Sequence, residues 1–419
     1  MTFSRLIGAL ALVLAFQFSA PSVASADEVL DWNTIAIRTT QAAPTALPGQ
    51  VQPRSLAIVH ASIFDALNGI ERRYEPIHVD DPAPRRASRR AAVVQAAYRA
   101  LVNMFPGQAA ALDADLATSL AAITDSAEAI QRGRDWGDQV ALAILAWRQI
   151  IIPSPPSPYV GSTDVGKWRP TPPLFLPGGT PLLGTLPTFV IPSASTFRPA
   201  GPPPLSSSKY AKDFNEVKLV GDIESAVRTA DQTESASFWA SSRPAAVWNR
   251  AAQSASLREH LNLSKNARLF ALLNMAAADS ALTAWDSKYH FSNWRPITAI
   301  RLADTDSNPL TTADPGWTPL IVTPPYPDYY SGHQSISGAS QEVLTAFFGK
   351  KMGFEAFSEG LPGVVRSWDS FSEAADEANL SRIWAGIHFR FAQTDSRMVA
   401  EQIAQYVLKH AALPLDDQQ

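Results

Sequence analysis

Between residues 152 and 208 prolines crowd among glycine, serine and threonine, opening with Pro153, Pro155, Pro156 and Pro158 and closing with Pro202, Pro203 and Pro204. Each proline fixes its own φ and lacks an amide donor, so no long helix survives there. Trp168, Phe175, Leu176, Phe189, Val190 and Phe197 are interleaved with them. That predicts an ordered excursion packed on the body of the protein, and a lid over a site, in preference to a disordered linker. The folded mass must therefore be built on either side of this segment.

Both sides read as helix. Upstream, Leu56, Ile58, Val59, Ile63, Phe64 and Leu67 recur at helical spacing over residues 55–70, and similar stretches cover 86–104, 108–123 and 127–150. Four such helices fit an antiparallel bundle. Downstream, helices are expected from about residue 233 and over 246–261, 265–291, 332–348, 372–389 and 396–411, while strand-like alternation is scarce. The expectation is an all-α fold of two packed four-helix bundles, residues 27–151 and 209–419, with the site in the second and the proline-rich excursion 152–208 between them.

The N-terminus reads as a signal peptide over residues 1–26. Arg5 supplies the positive start, residues 6–18 the apolar stretch, and Ala24-Ser25-Ala26 the small-residue cleavage end. The chain is then expected in the periplasm or secreted. That stretch is shorter than the roughly 20 residues needed to span a bilayer. The other apolar candidate, residues 181–191, is broken by Gly184 and Pro187, so no membrane span is expected after signal removal. With 35 Lys and Arg against 39 Asp and Glu, the formal charge of −4 gives no basic field for nucleic acid. The absence of cysteine excludes disulfides, thiolate catalysis and cysteine-ligated metals.

Three short elements carry chemistry. Lys288 and Arg295 are expected on one face of a helix that Pro296 ends, and Trp285, Tyr289, Phe291 and Trp294 make that face too apolar for an ordinary solvated one. Ser331-Gly332-His333 follows the extended run from Pro324 to Asp328 and opens a small-residue helix. Amides at a helix start, a hydroxyl and a glycine that admits an anion to the backbone form an oxyanion site, with His333 beside it. Ser381-Arg382 and His388 add a further cation and a nitrogen able to ligate a metal or attack phosphorus. Taken singly, each has a plainer reading as a basic face, a helix cap or a core histidine. His60, inside an apolar helix, reads as structural. His290, close to Lys288, is a more distant candidate.

In this order, Lys288, Arg295-Pro296, Ser331-Gly332-His333, Ser381-Arg382 and His388 resemble the signature shared by vanadium-dependent haloperoxidases and type 2 phosphatidic acid phosphatases. Trp32-Asn33, residues 57–66, Tyr74-Glu75-Pro76, residues 168–173, Phe197-Arg198-Pro199 and residues 215–218 are also similar to bacterial haloperoxidase-like sequences. The resemblance implies vanadate as cofactor, with phosphate able to occupy the same site. It implies Lys288, Arg295, Ser331, Gly332, Arg382 and His388 as the binding set, His388 as metal ligand, and His333, His388 and Lys288 as catalytic residues. The partners would be hydrogen peroxide, a halide and a small organic acceptor, with Lys288 polarising the peroxide and His333 moving protons.

Two other readings share the constellation. In a soluble exported acid phosphatase His388 is the nucleophile and His333 the general acid. In the third, the site binds oxyanions without turnover. The peroxidase is favoured by the proline-rich segment and the flanking similarities. The sequence departs from the family pattern at Tyr330, where proline is usual, and at Ala392, where a carboxylate commonly follows the final histidine. Asp395 or a backbone carbonyl is expected to orient His388 instead. Tyr326 stands where phenylalanine or histidine is usual and leaves the halide open.

Overall fold

The computed structural model describes residues 27–42, 47–148 and 152–415; the expected signal peptide lies outside them. Among the described residues there are thirteen α-helices and one two-stranded sheet. The all-α expectation holds.

The first half comprises α1 (Glu28–Gln41), α2 (Gln52–Glu71), α3 (Arg89–Met104), α4 (Ala109–Ala121) and α5 (Ala127–Trp147). Helices α2, α3 and α5 pack on one another, and α1 and α4 flank α3. Close approach of α3 and α5 depends on glycine, because a Cβ at Gly133 would lie 2.4 Å from the Ser88 carbonyl oxygen and one at Gly137 2.4 Å from that of Ala92. Helix α2 is buried almost all round, its polar Gln52, Arg54, His60, Asp65 and Asn68 included.

The second half comprises α6 (Ser208–Val220), α7 (Ala230–Ser241), α8 (Pro244–Arg258), α9 (Leu263–Phe291), α10 (Pro296–Arg301), α11 (Gly332–Phe348), α12 (Phe371–Trp384) and α13 (Arg390–His410). Helix α9 is its axis, packed on α11 and α13 and across to α2, so one hydrophobic core runs through both halves. A hairpin of β1 (Phe354–Phe357) and β2 (Val365–Trp368) pairs Phe354 with Trp368. It is tied to α12 through Arg366, whose Nε and Nη2 donate to Glu377 at 2.7 and 2.9 Å.

Three expectations are corrected. Helix α9 ends at Phe291 because Ser292 turns left-handed, φ 51°, so Arg295 does not share a helix face with Lys288. It precedes Pro296 as the N-cap of α10. Helix α12 ends at Trp384, where Gly386 with φ 77° reverses the chain and leaves His388 in a loop before α13. Helices α1, α6 and α10 and the hairpin add to the elements read from periodicity.

The proline-rich excursion is ordered and anchored. Its Phe189, Val190 and Ile191 amides donate to the buried carboxylate of Asp279 on α9, at 2.6, 2.8 and 3.1 Å. Asp65 on α2 receives the amides of Ile77, His78 and Val79 in the same way, at 2.8, 2.8 and 2.9 Å. A buried carboxylate with three amide partners satisfies otherwise costly backbone donors as well as itself.

Candidate active site

The ends of α9, α10, α11 and α12, together with the 324–331 and 385–389 loops, meet at one cluster of buried charge. Lys288, in the last turn of α9, donates through Nζ to the carbonyl oxygens of Pro327 and Asp328 at 2.8 and 2.9 Å. It also faces the Tyr326 ring at 5.2 Å and the Trp285 ring at 5.8 Å. Burial, and then the neighbouring Arg295, push its ammonium well below the usual lysine range.

Arg295, fully buried, is fixed by donation from Nε to the Tyr326 carbonyl at 2.8 Å and from Nη1 to the Ile387 carbonyl at 2.7 Å. The same Nη1 lies 3.1 Å from His388 Nε2. An arginine always donates, so Nε2 is the accepting nitrogen and the ring proton sits on Nδ1. Asp328 Oδ1 lies 2.7 Å from that Nδ1, a close contact without hydrogen-bond geometry, and 3.9 Å from Arg295 Nη1. Burial raises the Asp328 carboxyl to about 7 against the pull of Arg295 and Lys288.

His388 is buried, and its pKa is driven well below 6.5, first by desolvation and then by Arg295, Lys288 and Arg382. The imidazole is therefore neutral, the form with a lone pair to ligate or attack. His333 is half-buried by accessible surface. Desolvation and Arg382 lower its pKa as well. Its Nε2 stands 3.1 Å from the Trp239 carbonyl oxygen and must donate to it, which leaves Nδ1 free.

Ser331 caps α11 by accepting the Gln334 amide at 3.4 Å. Gly332 follows because any side chain would strike the wall: its Cβ would lie 2.7 Å from the Trp285 ring. Trp285, Tyr326, Gly332, His333, Arg382 and His388 line a cavity of about 520 Å³. Lys288, Arg295 and Ser331 stand behind this lining. None of residues 152–208 belongs to that lining; the excursion packs behind it. It braces the wall from behind, with the Gly179 carbonyl accepting the Tyr289 hydroxyl at 2.6 Å and the Gly179 amide donating to Pro325 at 2.7 Å.

The electrostatic demand of the cluster is unmet from within. Arg295 Nη2 and Arg382 Nε and Nη1 are buried with no partner. Buried guanidinium donors without acceptors are costly, and an oxyanion supplies acceptors of the right charge and geometry. Among the described residues no group of three His, Cys, Asp or Glu is placed to hold a metal cation.

Sequence reasoning missed Asp328. Its signal was an acidic residue at the end of a proline-stiffened extended run, three positions before Ser331. Asp395 does not orient His388; it accepts the Tyr329 hydroxyl at 2.6 Å. His290 is exposed and packs edge-on against Phe291, away from the cavity. His60 is a core residue, with Nε2 2.8 Å from Asn33 Nδ2.

A family model described as the VCPO second helical-bundle domain matches residues 268–417. The vanadium chloroperoxidase of Curvularia inaequalis is 27% identical over 178 residues, 31% of this chain and 29% of that protein. The aligned stretch thus spans under a third of the curated relative. Among solved structures, a bacterial vanadium-dependent iodoperoxidase superposes with TM-score 0.79 at 24% identity, covering 93% of this chain and 97% of its own. An apo-type bacterial vanadium-dependent chloroperoxidase gives 0.71 at 17%, covering 90% and 97%. At these identities the superpositions establish the shared fold.

Proposed function

We propose that the chain is a vanadate-dependent haloperoxidase, exported to the periplasm or medium after loss of residues 1–26, a reading supported by the family-model match over residues 268–417 and by the vanadium haloperoxidase fold. The observation that carries this reading is the set of unpartnered buried guanidinium donors of Arg295 and Arg382 around the neutral imidazole of His388.

In the proposed site His388 Nε2 is the metal ligand, and Arg295, Arg382, Lys288, the Gly332 amide and Ser331 hold the oxygens. Vanadate, when bound, supplies a Lewis-acidic centre that activates peroxide without changing its own oxidation state. The chain's residues do the rest. The three cations match the anion's charge, and a guanidinium can meet two oxygens at once. Asp328, 2.7 Å from Nδ1, favours the His388 tautomer whose Nε2 lone pair, held by Arg295 Nη1 in the structure, would pass to the metal. His333, anchored through Nε2, has Nδ1 free to accept and return a proton. The net reaction turns hydrogen peroxide, a halide and one proton into hypohalous acid and water, and the oxidised halogen passes to a small organic acceptor.

Replacing His333 by alanine tests the assignment. Peroxide-dependent halogenation should fall by about 10²–10⁴-fold, the usual worth of a general acid–base group, while phosphate and vanadate still bind. Full turnover in the variant would remove His333 from the mechanism.

A further inference from the structure

The cavity is larger than an oxyanion needs. At about 520 Å³ it falls in the range of roughly 300–1,000 Å³ that accommodates drug-sized organic ligands. Its deep end is the cluster already described. Its outer part is lined by Gln41, Gln50, Ser241, Ser242, Arg243 and Glu359.

Arg243 is distinctive in this outer wall. It is the N-cap of α8 and holds that helix through its backbone carbonyl, which accepts the amides of Ala246 and Val247 at 3.0 and 3.2 Å; its side chain makes no capping bond. The guanidinium has no hydrogen bond or ion pair among the described residues. Glu359 is the single carboxylate among the described residues of the lining, and it is already engaged by Arg250 Nη1 at 2.5 Å and Gln41 Nε2 at 3.2 Å. The positive end of the α8 dipole adds to the same potential. Once an oxyanion matches Lys288, Arg295 and Arg382, Arg243 is the cation on the cavity wall still lacking a counter-charge.

The wall that carries it is also the wall that anchors His333. Trp239, whose carbonyl accepts from His333 Nε2, stands at the end of α7 just before the junction, and Arg243 closes the junction at the start of α8. A ligand paired with Arg243 would thus share the cavity with the reacting groups.

We propose that the outer cavity is an acceptor subsite in which Arg243 selects organic molecules bearing a carboxylate. This rests on the haloperoxidase reading for its role, though not for its test. A planar guanidinium offers paired donors that fit a carboxylate's two oxygens. A halide would leave one donor and most of the cavity unused. The enzyme is then selective for its acceptor, and hypohalous acid is consumed at the site before it can leave.

Calorimetry separates this from the function of the inner site. With inorganic phosphate saturating the inner cations, the full chain is titrated with 4-hydroxyphenylacetate and with its neutral amide. The wild type should bind the carboxylate more tightly than the amide by about 10–100-fold, the scale of a charge-assisted hydrogen bond. Arg243→Gln should abolish that preference while still binding the amide, which also reports that the variant is folded. Glu359→Gln, by removing the one carboxylate of the wall, should strengthen it. Equal affinities in the wild type, or an unchanged preference in Arg243→Gln, would overturn the proposal. So would a bromide KM that rises in Arg243→Gln equally with both acceptors, since Arg243 would then serve the halide. Loss of vanadate-dependent turnover from every protein would instead contradict the haloperoxidase reading and leave these binding results intact.

Discussion

Asp328 and His388 meet 2.7 Å apart in the interior, carboxylate oxygen to ring Nδ1, with Arg295 touching both. The carboxylate that we propose orients the histidine comes from the loop ahead of α11. On the proposed role of Asp328, the task usually met by a carboxylate at the Ala392 position is met from another element.

Asp328→Ala removes that orienting group and also one negative charge, and the two losses act oppositely on anion binding. Their separation lies in comparing anions. Phosphate responds to charge alone, whereas vanadate also needs the aligned imidazole. The ratio of vanadate to phosphate affinity should therefore fall by about 10–100-fold, as for other orienting partners of metal-bound histidines. An unchanged ratio in competitive calorimetry would show that Asp328 does not set the ring.

Gly332→Ala places a methyl group where only 2.7 Å separates it from the Trp285 ring. Because Trp285 is buried and forms the cavity wall, the ring cannot simply swing into solvent. Overpacking of this kind costs about 1–3 kcal/mol. Urea denaturation should show that loss; stability equal to wild type would mean the wall yields more easily than its packing suggests.

His60 sets a pH dependence of folding that is independent of the active site. Burial lowers its pKa from 6.5 to about 3. Between those values the unfolded chain binds a proton that the folded chain does not, so stability from this group is complete above pH 6.5 and is lost as pH falls toward 3. The slope is about 1.4 kcal/mol per pH unit for one proton. His60→Gln should remove one proton's worth of slope from denaturation midpoints measured between pH 6.5 and 4, and an identical slope would place the acid sensitivity elsewhere.

Glu377 joins the hairpin to the His333 wall. It accepts from Arg366, from the Trp239 and Trp368 indoles at 3.0 and 2.9 Å, and from Ser235 at 3.0 Å. Glu377→Ala leaves the two indoles and Ser235 without this acceptor, while Arg366 keeps Asp231 and Glu234, at a cost on the order of 3 kcal/mol. Thermal denaturation checks the figure; a loss indistinguishable from zero would show that water replaces the carboxylate.

The periodic helices were legible in the sequence, and α11 was read with its observed bounds, Ser331 and Gly332 marking its start. What the sequence hid was geometry imposed by single residues. Nothing in a period of 3.6 announces that Ser292 will turn left-handed and carry Arg295 off α9. Nor does it announce that Gly386 will stop α12 short of His388. Asp328 was hidden for another reason: its partners are distant in sequence, and an isolated aspartate in a proline-rich loop has no spacing to betray it. Aromatic residues among prolines show that the 152–208 segment packs, without showing on which side of a site it does so.

The most direct test is a vanadate titration of metal-free protein, following bromination of a phenolic dye by hydrogen peroxide and hydrolysis of a phosphomonoester in the same samples. Bromination that rises with vanadate and is lost in His388→Ala is the expected result. Phosphatase activity that depends on His388 and is only inhibited by vanadate would contradict it and assign the same cluster to phosphoryl transfer.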